Sequence, residues 1–391
     1  MAKHALLKSV LVIARAQYRA DSDEGIHCLV RALAGSCESL KVISLSFEAP
    51  EFQGPGLRGS RQAPRGWQVV GNVACYTLAM PWSPTDGFGA VARWLTTPAL
   101  EIWAGWPSRE LDAATVSADL IILHSEPALA LLGRLRRLAP HAKIVVYADD
   151  PHGSANMHPR LQVSLTRSRS ALDHIVVTAR SMLKHFEAFG ERASHVPRGL
   201  DLPSTAQTET AELASPTQVV CTATATFDAS VVQIAADALP EAEVHLVGPN
   251  NTPPHRYPAN VRVHSVLSGE AFAALVGGAQ VGIVPLAGQA DMDGLEDTDA
   301  GLLYFGHLGL PTVCPTSVVG RFPLRFGYQP GRSASIRDAL ARSLQAKRGS
   351  VRVPVLSWSQ VAQRVIETVE RQSPAVWEST GLRAREAAHE G

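Results

Sequence analysis

The stretch KIVVYADDPHG (143–153) ends a run of β-forming residues in two adjacent aspartates, a proline, a histidine and a glycine. Acids at the end of a buried strand suit three chemistries. Two carboxylates can hold a metal, one carboxylate can take a proton from a bound hydroxyl, or a carboxylate can cap the next helix. The residue types alone leave all three open.

A second group of candidates lies in the C-terminal half. In CTATATFDAS (221–230) a strand runs into small residues and then into a helix with Asp228 near its start. Small side chains let a ligand approach the backbone, and a helix N-terminus attracts phosphate through its free amides and dipole. The same pattern also fits an ordinary strand, turn and helix with Asp228 as N-cap. Residues 286–320 hold an acidic, turn-rich loop that leads through Thr298 and Asp299 into an apolar helix. Gly309 and Pro311 stop that helix, and the strand PTVCP follows. Within the loop, DMDGLEDTD has the acidic look of a calcium loop, but its glycine stands fourth and no glutamate stands twelfth, which argues against metal.

Other chemistries lose their support. No GxGxxG follows the first strand, and neither GxxxxGK[ST] nor GxSxG occurs, which weakens dinucleotide oxidoreductase, P-loop NTPase and serine hydrolase readings. The cysteines Cys28, Cys37, Cys75, Cys221 and Cys314 are odd in number and lack CxxC spacing, as expected of buried thiols in a reducing compartment.

These residues need elements to position them. Strand candidates in the first half are 10–14, 41–47, 118–124, 143–148 and 174–179; in the second half they are 218–225, 243–248, 260–265, 281–286 and 311–315. Amphipathic stretches such as GIHCLVRALAG separate them. Continuous β-branched runs alternating with helices specify parallel sheets covered on both faces. A polar Thr/Ser/Ala/Glu/Pro segment with little to bury marks a linker. The expected architecture is α/β: two tandem Rossmann-like doubly wound parallel-sheet domains facing a cleft, with ligands at the carboxyl ends of the strands. The expected divisions are 1–204, a linker at 205–217, a second domain at 218–372, and a tail helix at 373–391 crossing back to the first domain.

The bulk numbers agree with such a protein. The 391 residues are 46% hydrophobic and 18% charged, enough to build two cores. Basic and acidic side chains balance at 36 each, so no global field draws in nucleic acid, and any membrane or polyanion contact must be local. The N-terminal apolar run reads as a first strand rather than a signal peptide, and no run of apolar residues is long enough to span a bilayer.

One block is more specific. GLLYFGHLGLPTVCPTSVVGRFPLRFGYQPG (301–331) closely resembles the corresponding part of the bacterial glucuronosyltransferases that act in xanthan assembly, the GumK family. The likeness continues across 122–150 and, more weakly, through IHCLV, HVPRGLD and FDAS. It implies a GT-B fold and an inverting, metal-independent glycosyltransferase with no cofactor. Such an enzyme passes a sugar from a nucleotide diphosphate, UDP by the resemblance, to a polyprenyl-diphosphate-linked oligosaccharide. It would work in the cytoplasm, peripherally on the inner face of the cytoplasmic membrane, in exopolysaccharide synthesis.

The resemblance also assigns residues. It places Asp150 as general base, at the end of the fourth strand. Consecutive strand residues face opposite ways, so Asp149 is expected to hold backbone or a cap. Donor binding falls to Thr224, Ala225, Thr226, Phe227, Leu286, Leu295, Thr298, Asp299, Gly301 and Tyr304, and acceptor binding to Arg19 and His27. The family carries a lysine suited to the sugar carboxylate where this chain has Gly301, which makes a neutral nucleotide sugar as good a donor as UDP-glucuronate. The loop YRADSDEGIHC keeps Arg19 and His27 but gains Asp21, Asp23 and Glu24. Trp94, Trp103 and Trp106 stand at spacings that serve either a core or a lipid-facing surface. Two rival functions are a sugar-nucleotide epimerase or hydrolase of the same fold, and a transferase-like binding partner without catalysis.

Overall fold

Two sheets organise the chain, in a computed structural model that describes residues 7–15, 17–22, 24–47, 66–80, 102–124, 126–150, 165–166, 168–201, 216–223, 227–248, 257–265, 267–287 and 293–371. Thr224, Ala225, Thr226, Asp23, Trp94, the linker up to residue 215 and the tail 373–391 lie outside these residues. The chain divides into two compact units. Unit 1 takes Met1–Val177, Leu183–Val196 and Ser359–Gly391, and unit 2 takes Thr178–Met182 and Pro197–Trp358.

Unit 1 is built on an eight-stranded sheet in the order β3-β4-β2-β1-β5-β6-β7-β8. The strands are β1 (Leu7–Ala14), β2 (Cys37–Phe47), β3 (Gln68–Val70), β4 (Val73–Met80), β5 (Leu120–His124), β6 (Lys143–Ala148), β7 (His174–Val177) and β8 (Ala193–His195). All neighbours pair in parallel except β3 and β4, which form an antiparallel hairpin across Gly71 and Asn72, with Gly71 at φ 64°. Gly-Asn between β-branched runs is a hairpin signal, because its first position tolerates the positive φ that the turn requires. This hairpin makes β6 the sixth strand and not the fourth. Helices α1 (Gly25–Ala34), α2 (Arg109–Val116), α3 (Glu126–Leu129) and α4 (Leu132–Leu138) are among the connections. Residues 10–13, 120–123 and 144–147 are buried along their whole length, as both-face coverage of a parallel sheet demands.

Unit 2 carries a six-stranded sheet, all parallel, in the order β12-β11-β10-β13-β14-β15. Its strands are β10 (Gln218–Thr222), β11 (Glu243–Val247), β12 (Val261–His264), β13 (Val281–Ile283), β14 (Thr312–Pro315) and β15 (Arg325–Tyr328). A short parallel pair, β9 (Gly199–Leu200) with β16 (Leu356–Ser357), completes it. Helices α5 (Ala229–Ala238), α6 (Gly269–Gly278), α7 (Leu295–Thr298), α8 (Ala300–His307) and α9 (Ser333–Gln345) belong to this unit. Period-2 alternation divides the apolar side chains between two cores. Val219, Cys221, Leu246, Ile283 and Val313 pack with α5 and α9 on one face, and Val220, Val284 and Cys314 pack with α8 on the other. The last helix, α10 (Trp358–Arg371), belongs from Ser359 onward to unit 1.

In each sheet the strand order reverses beside the first strand of that sheet: between β1 and β5 in unit 1, and between β10 and β13 in unit 2. Ligands of open α/β sheets bind at the carboxyl edge of such a switch point.

Candidate active site

At the unit 1 switch point the carboxyl ends of β5 and β6 and the start of α1 bring five ionisable side chains together. His124 ends β5, level in register with Tyr147 of β6. Its Nε2 lies 2.6 Å from Asp149 Oδ1, with side chains only 12% and 18% exposed. Asp149 therefore holds an imidazole, a partner that strand alternation alone did not predict. Asp150, the next residue, is exposed.

The second imidazole comes from α1. His27 is 3% exposed, and neither ring nitrogen has a hydrogen-bond partner among the described residues. Its nearest carboxylate oxygen, on Glu24, stands 3.9 Å away, beyond hydrogen-bond range. Tyr18 meets its ring edge-on at 5.7 Å between centroids. Glu24 makes no side-chain cap on α1, unlike the serine that caps α2.

Burial pushes the two imidazoles alike, and their neighbours separate them. For His124, burial pulls the pKa down, but the charge and hydrogen bond of Asp149, with Glu24 and Asp150 adding, carry it above its ordinary value. For His27, burial wins over Glu24, and His124, Arg31 and Arg19 reinforce it, leaving the ring below its ordinary value and neutral. Arg19, expected to bind beside His27, has an exposed guanidinium held by Asp21, with Nε and Nη2 at 3.2 and 3.1 Å from the two carboxylate oxygens.

In unit 2 the corresponding edge offers hydroxyls and backbone. Phe227 and Leu286 form an isolated antiparallel bridge, and Asp228 N donates to Pro285 O at 2.6 Å. This joins the β10–α5 and β13–α7 connections. Asp228 caps α5 by accepting from Ser230 N at 2.9 Å, which is the plainer of its two readings. Asp299 is buried and caps α8 by accepting from Leu302 N at 2.8 Å. Burial raises its pKa against the pull of Leu302 N, Arg198, Arg325 and Gly301 N. Both helix starts thus carry a carboxylate from the chain itself.

The expected donor residues divide into those facing the edge and those in the core. Leu286 is 2% exposed within the α8-side core, so only its backbone is available; its carbonyl takes Tyr328 Oη at 3.4 Å. Tyr304 is buried against Phe272, and burial pushes its phenol up to about 12. Thr298 is buried with Oγ1 donating to Gly294 O at 3.0 Å, while Leu295 is half-buried on the same core. Gly301 lies tight against β10: a Cβ there would come 2.6 Å from Thr222 Oγ1 and 3.2 Å from Asp299 Oδ1. Its replacement of the family's lysine therefore leaves close packing, not an open pocket. Thr222 Oγ1 and Tyr304 Oη have no hydrogen-bond partner among the described residues.

Three residues were missed in the sequence. His124 had a signal in IILHS, an imidazole ending an apolar strand. Thr222 was hidden among the small residues of CTATAT. Arg325 is the one charge in RFGY; it is 7% exposed, stacks over Phe322 at 3.8 Å, and donates from Nη1 to Glu296 O and Val318 O at 3.0 Å each. It ties α7, the helix before Asp299, to the turn after β14. Among the described residues no group of three His, Cys, Asp or Glu side chains is arranged to hold a metal ion.

Comparison with known proteins bears on both units. Residues 12–178 match the family described as glucuronosyltransferase GumK, N-terminal domain. The chain is 28% identical over 295 residues, 75% of its length and 73% of the relative's, to the UDP-glucuronate:glycolipid 2-beta-glucuronosyltransferase of Xanthomonas campestris pv. campestris. Among solved structures, HepE of Anabaena in complex with UDP aligns at TM-score 0.54 and 12% identity, over 93% of this chain and all of that one. A UDP-forming trehalose-phosphate synthase of Burkholderia xenovorans aligns at TM-score 0.52 and 13% identity, over 96% and 98%. At such identities the likeness speaks for the fold alone, and that fold is GT-B.

Proposed function

Because residues 12–178 match the N-terminal domain of the GumK glucuronosyltransferases and the chain is a glycosyltransferase, we propose that it transfers a sugar from UDP to a lipid-linked oligosaccharide, with inversion and without a metal. Asp150 is the base. The acceptor hydroxyl gives its proton to the Asp150 carboxylate as its oxygen bonds to the anomeric carbon. The bond from that carbon to the β-phosphate oxygen breaks, and UDP leaves with the electron pair. Attack comes from the face opposite the leaving group, so the configuration inverts.

The observation that carries this reading is the disposition of the adjacent acids at the unit 1 switch point. Asp149 is held by His124 at 2.6 Å, while Asp150 is exposed just beyond β6, where a hydroxyl can reach it. A base must come within hydrogen-bond reach of the proton it takes. His27 and Arg19 belong to the acceptor side. Donor binding belongs to unit 2, through Thr224, Ala225, Thr226, Phe227 and Leu286, and through Leu295, Thr298, Asp299, Gly301 and Tyr304.

The donor is a neutral hexose nucleotide. Gly301 supplies no cation for a sugar carboxylate, its surroundings leave no space for one, and buried Asp299 stands beside it. The enzyme works peripherally at the inner face of the cytoplasmic membrane, in exopolysaccharide synthesis. Among the described residues no helix is long and apolar enough to cross a membrane. Trp103 is buried, with Nε1 donating to Ala79 O at 3.2 Å, whereas Ile102 and Trp106 are 61% and 56% exposed, which supports contact with lipid.

A thermal-shift panel of UDP-, GDP- and dTDP-sugars, followed by transfer to a lipid-linked acceptor in EDTA, tests the proposal. Stabilisation by a neutral UDP-hexose and an inverted anomeric product are expected. A retained configuration, a requirement for metal, or donor turnover without acceptor would overturn it.

A further inference from the structure

We propose that His124 is a positioning residue that neutralises Asp149, leaving Asp150 as the carboxylate of the adjacent pair with no ion-pair partner among the described residues. This goes beyond the base assignment and rests on it.

The geometry begins with the register of the sheet. β5 and β6 pair in parallel with His124 level with Tyr147, so the imidazole, at the last position of β5, reaches the first side chain beyond β6. The Nε2–Oδ1 distance of 2.6 Å is that of a charge-assisted hydrogen bond. The pair is largely withdrawn from solvent, where an ion pair is screened less. Without a cation here, Asp149, Asp150 and Glu24 would crowd three negative charges near one another. Like charges favour holding a proton, and a base that already holds one cannot accept another.

The groups facing His124 are Asp149 and Asp150 beyond β6, Glu24 and His27 at the start of α1, and the Tyr147 ring at 6.4 Å. Arg31 and Arg19 also act on His27 through their charge. Of the two imidazoles, His124 is the one bonded to a carboxylate; His27 is buried and neutral. His124 Nδ1 is buried with no hydrogen-bond partner among the described residues, so the ring is directed by Asp149.

The test is the pH dependence of kcat/KM for the wild type, His124→Gln, Asp149→Asn and the double variant. Glutamine keeps a donor for Asp149 but cannot carry charge. In His124→Gln the acidic limb should move up by about half to one pH unit, the size of one uncompensated like charge at a partly solvated site. Adding Asp149→Asn removes that charge and should return the limb to the wild-type position. A His124→Gln enzyme that loses activity with its acidic limb unmoved, or a double variant that does not restore the limb, would overturn the proposal.

Should His124→Gln fail to fold, NMR titration of the wild-type imidazole still decides. Asp149→Asn must lower the His124 midpoint, and an unchanged midpoint overturns the coupling. The base assignment is separable, because it fails if Asp150→Asn stays active. An inactive Asp150→Asn with an unmoved His124→Gln limb sinks only the present inference.

Discussion

The two units place opposite chemistries at equivalent points of similar sheets. Where the strand order of unit 1 reverses stand Glu24, His27, His124, Asp149 and Asp150, side chains that hold or exchange protons. Where that of unit 2 reverses stand Thr222, Ala223, Phe227, Leu286 and Gly301, which offer hydroxyls, backbone and close packing. Two aspartates at this edge, Asp228 and Asp299, are spent on helix caps. The first edge is suited to handling a proton and the second to close packing. A transferase needs both, since its nucleophile must be deprotonated and its leaving group gripped.

The comparison is sharpened by perturbing shape in unit 2. Gly301→Ala would force a methyl against Thr222 Oγ1, and overpacking of this kind costs about 1–3 kcal/mol. Chemical denaturation should register that loss, and Thr222→Ala added to it should recover most of it. Gly301→Lys should weaken donor binding without conferring affinity for UDP-glucuronate, as read by calorimetry. A lysine variant that binds the uronate tightly would break the account of the donor.

A smaller effect concerns the membrane. Replacing exposed Ile102 and Trp106 by serine removes apolar surface, and each side chain fully buried in lipid is worth about 1.5–3 kcal/mol. Vesicle affinity should fall by about tenfold or more, with rates on a soluble acceptor analogue unchanged. Equal vesicle binding by the variant would remove these residues from any lipid-facing role.

The smallest effects are in stability against pH, and the two imidazoles carry opposite signs. His124 is raised in the folded protein, so its stabilisation is present below the unfolded value near 6.5 and is lost as pH rises through the folded value. His27 is lowered, so stability is full above about 6.5 and declines as pH falls through the folded value. Denaturation midpoints should therefore show His124→Gln costing more at pH 5.5 than at pH 8.5, and His27→Gln costing less. Matching signs would show that the two rings do not differ as described.

Much of the fold was legible because buried parallel strands read as continuous β-branched runs. Lys143–Ala148 was delimited in full, since nothing in KIVVYA competes with a strand. Strand ends were less clear: 218–225 was read past Thr222, where pairing stops, because Ala223 continues the pattern, while residues 224 and 225 lie outside the described ones. The Gln68–Met80 hairpin was overlooked although Gly71-Asn72 announces it, and that miscounted β6. Asp150 was singled out through resemblance, but the engagement of Asp149 by His124 could not be read from the sequence. That contact joins residues 25 apart in sequence, and only the β5–β6 register brings them level. Leu286 and Tyr304 were assigned to the donor through resemblance, and both side chains lie in the apolar core beside α8.

The most direct test is a single-turnover measurement on Asp150→Ala, preloaded with donor and mixed with acceptor. The variant should bind the donor as the wild type does and transfer its sugar about 10²–10⁴-fold more slowly, the usual cost of a lost general base. Transfer at the wild-type rate would contradict the assignment of proton handling to this carboxylate of unit 1.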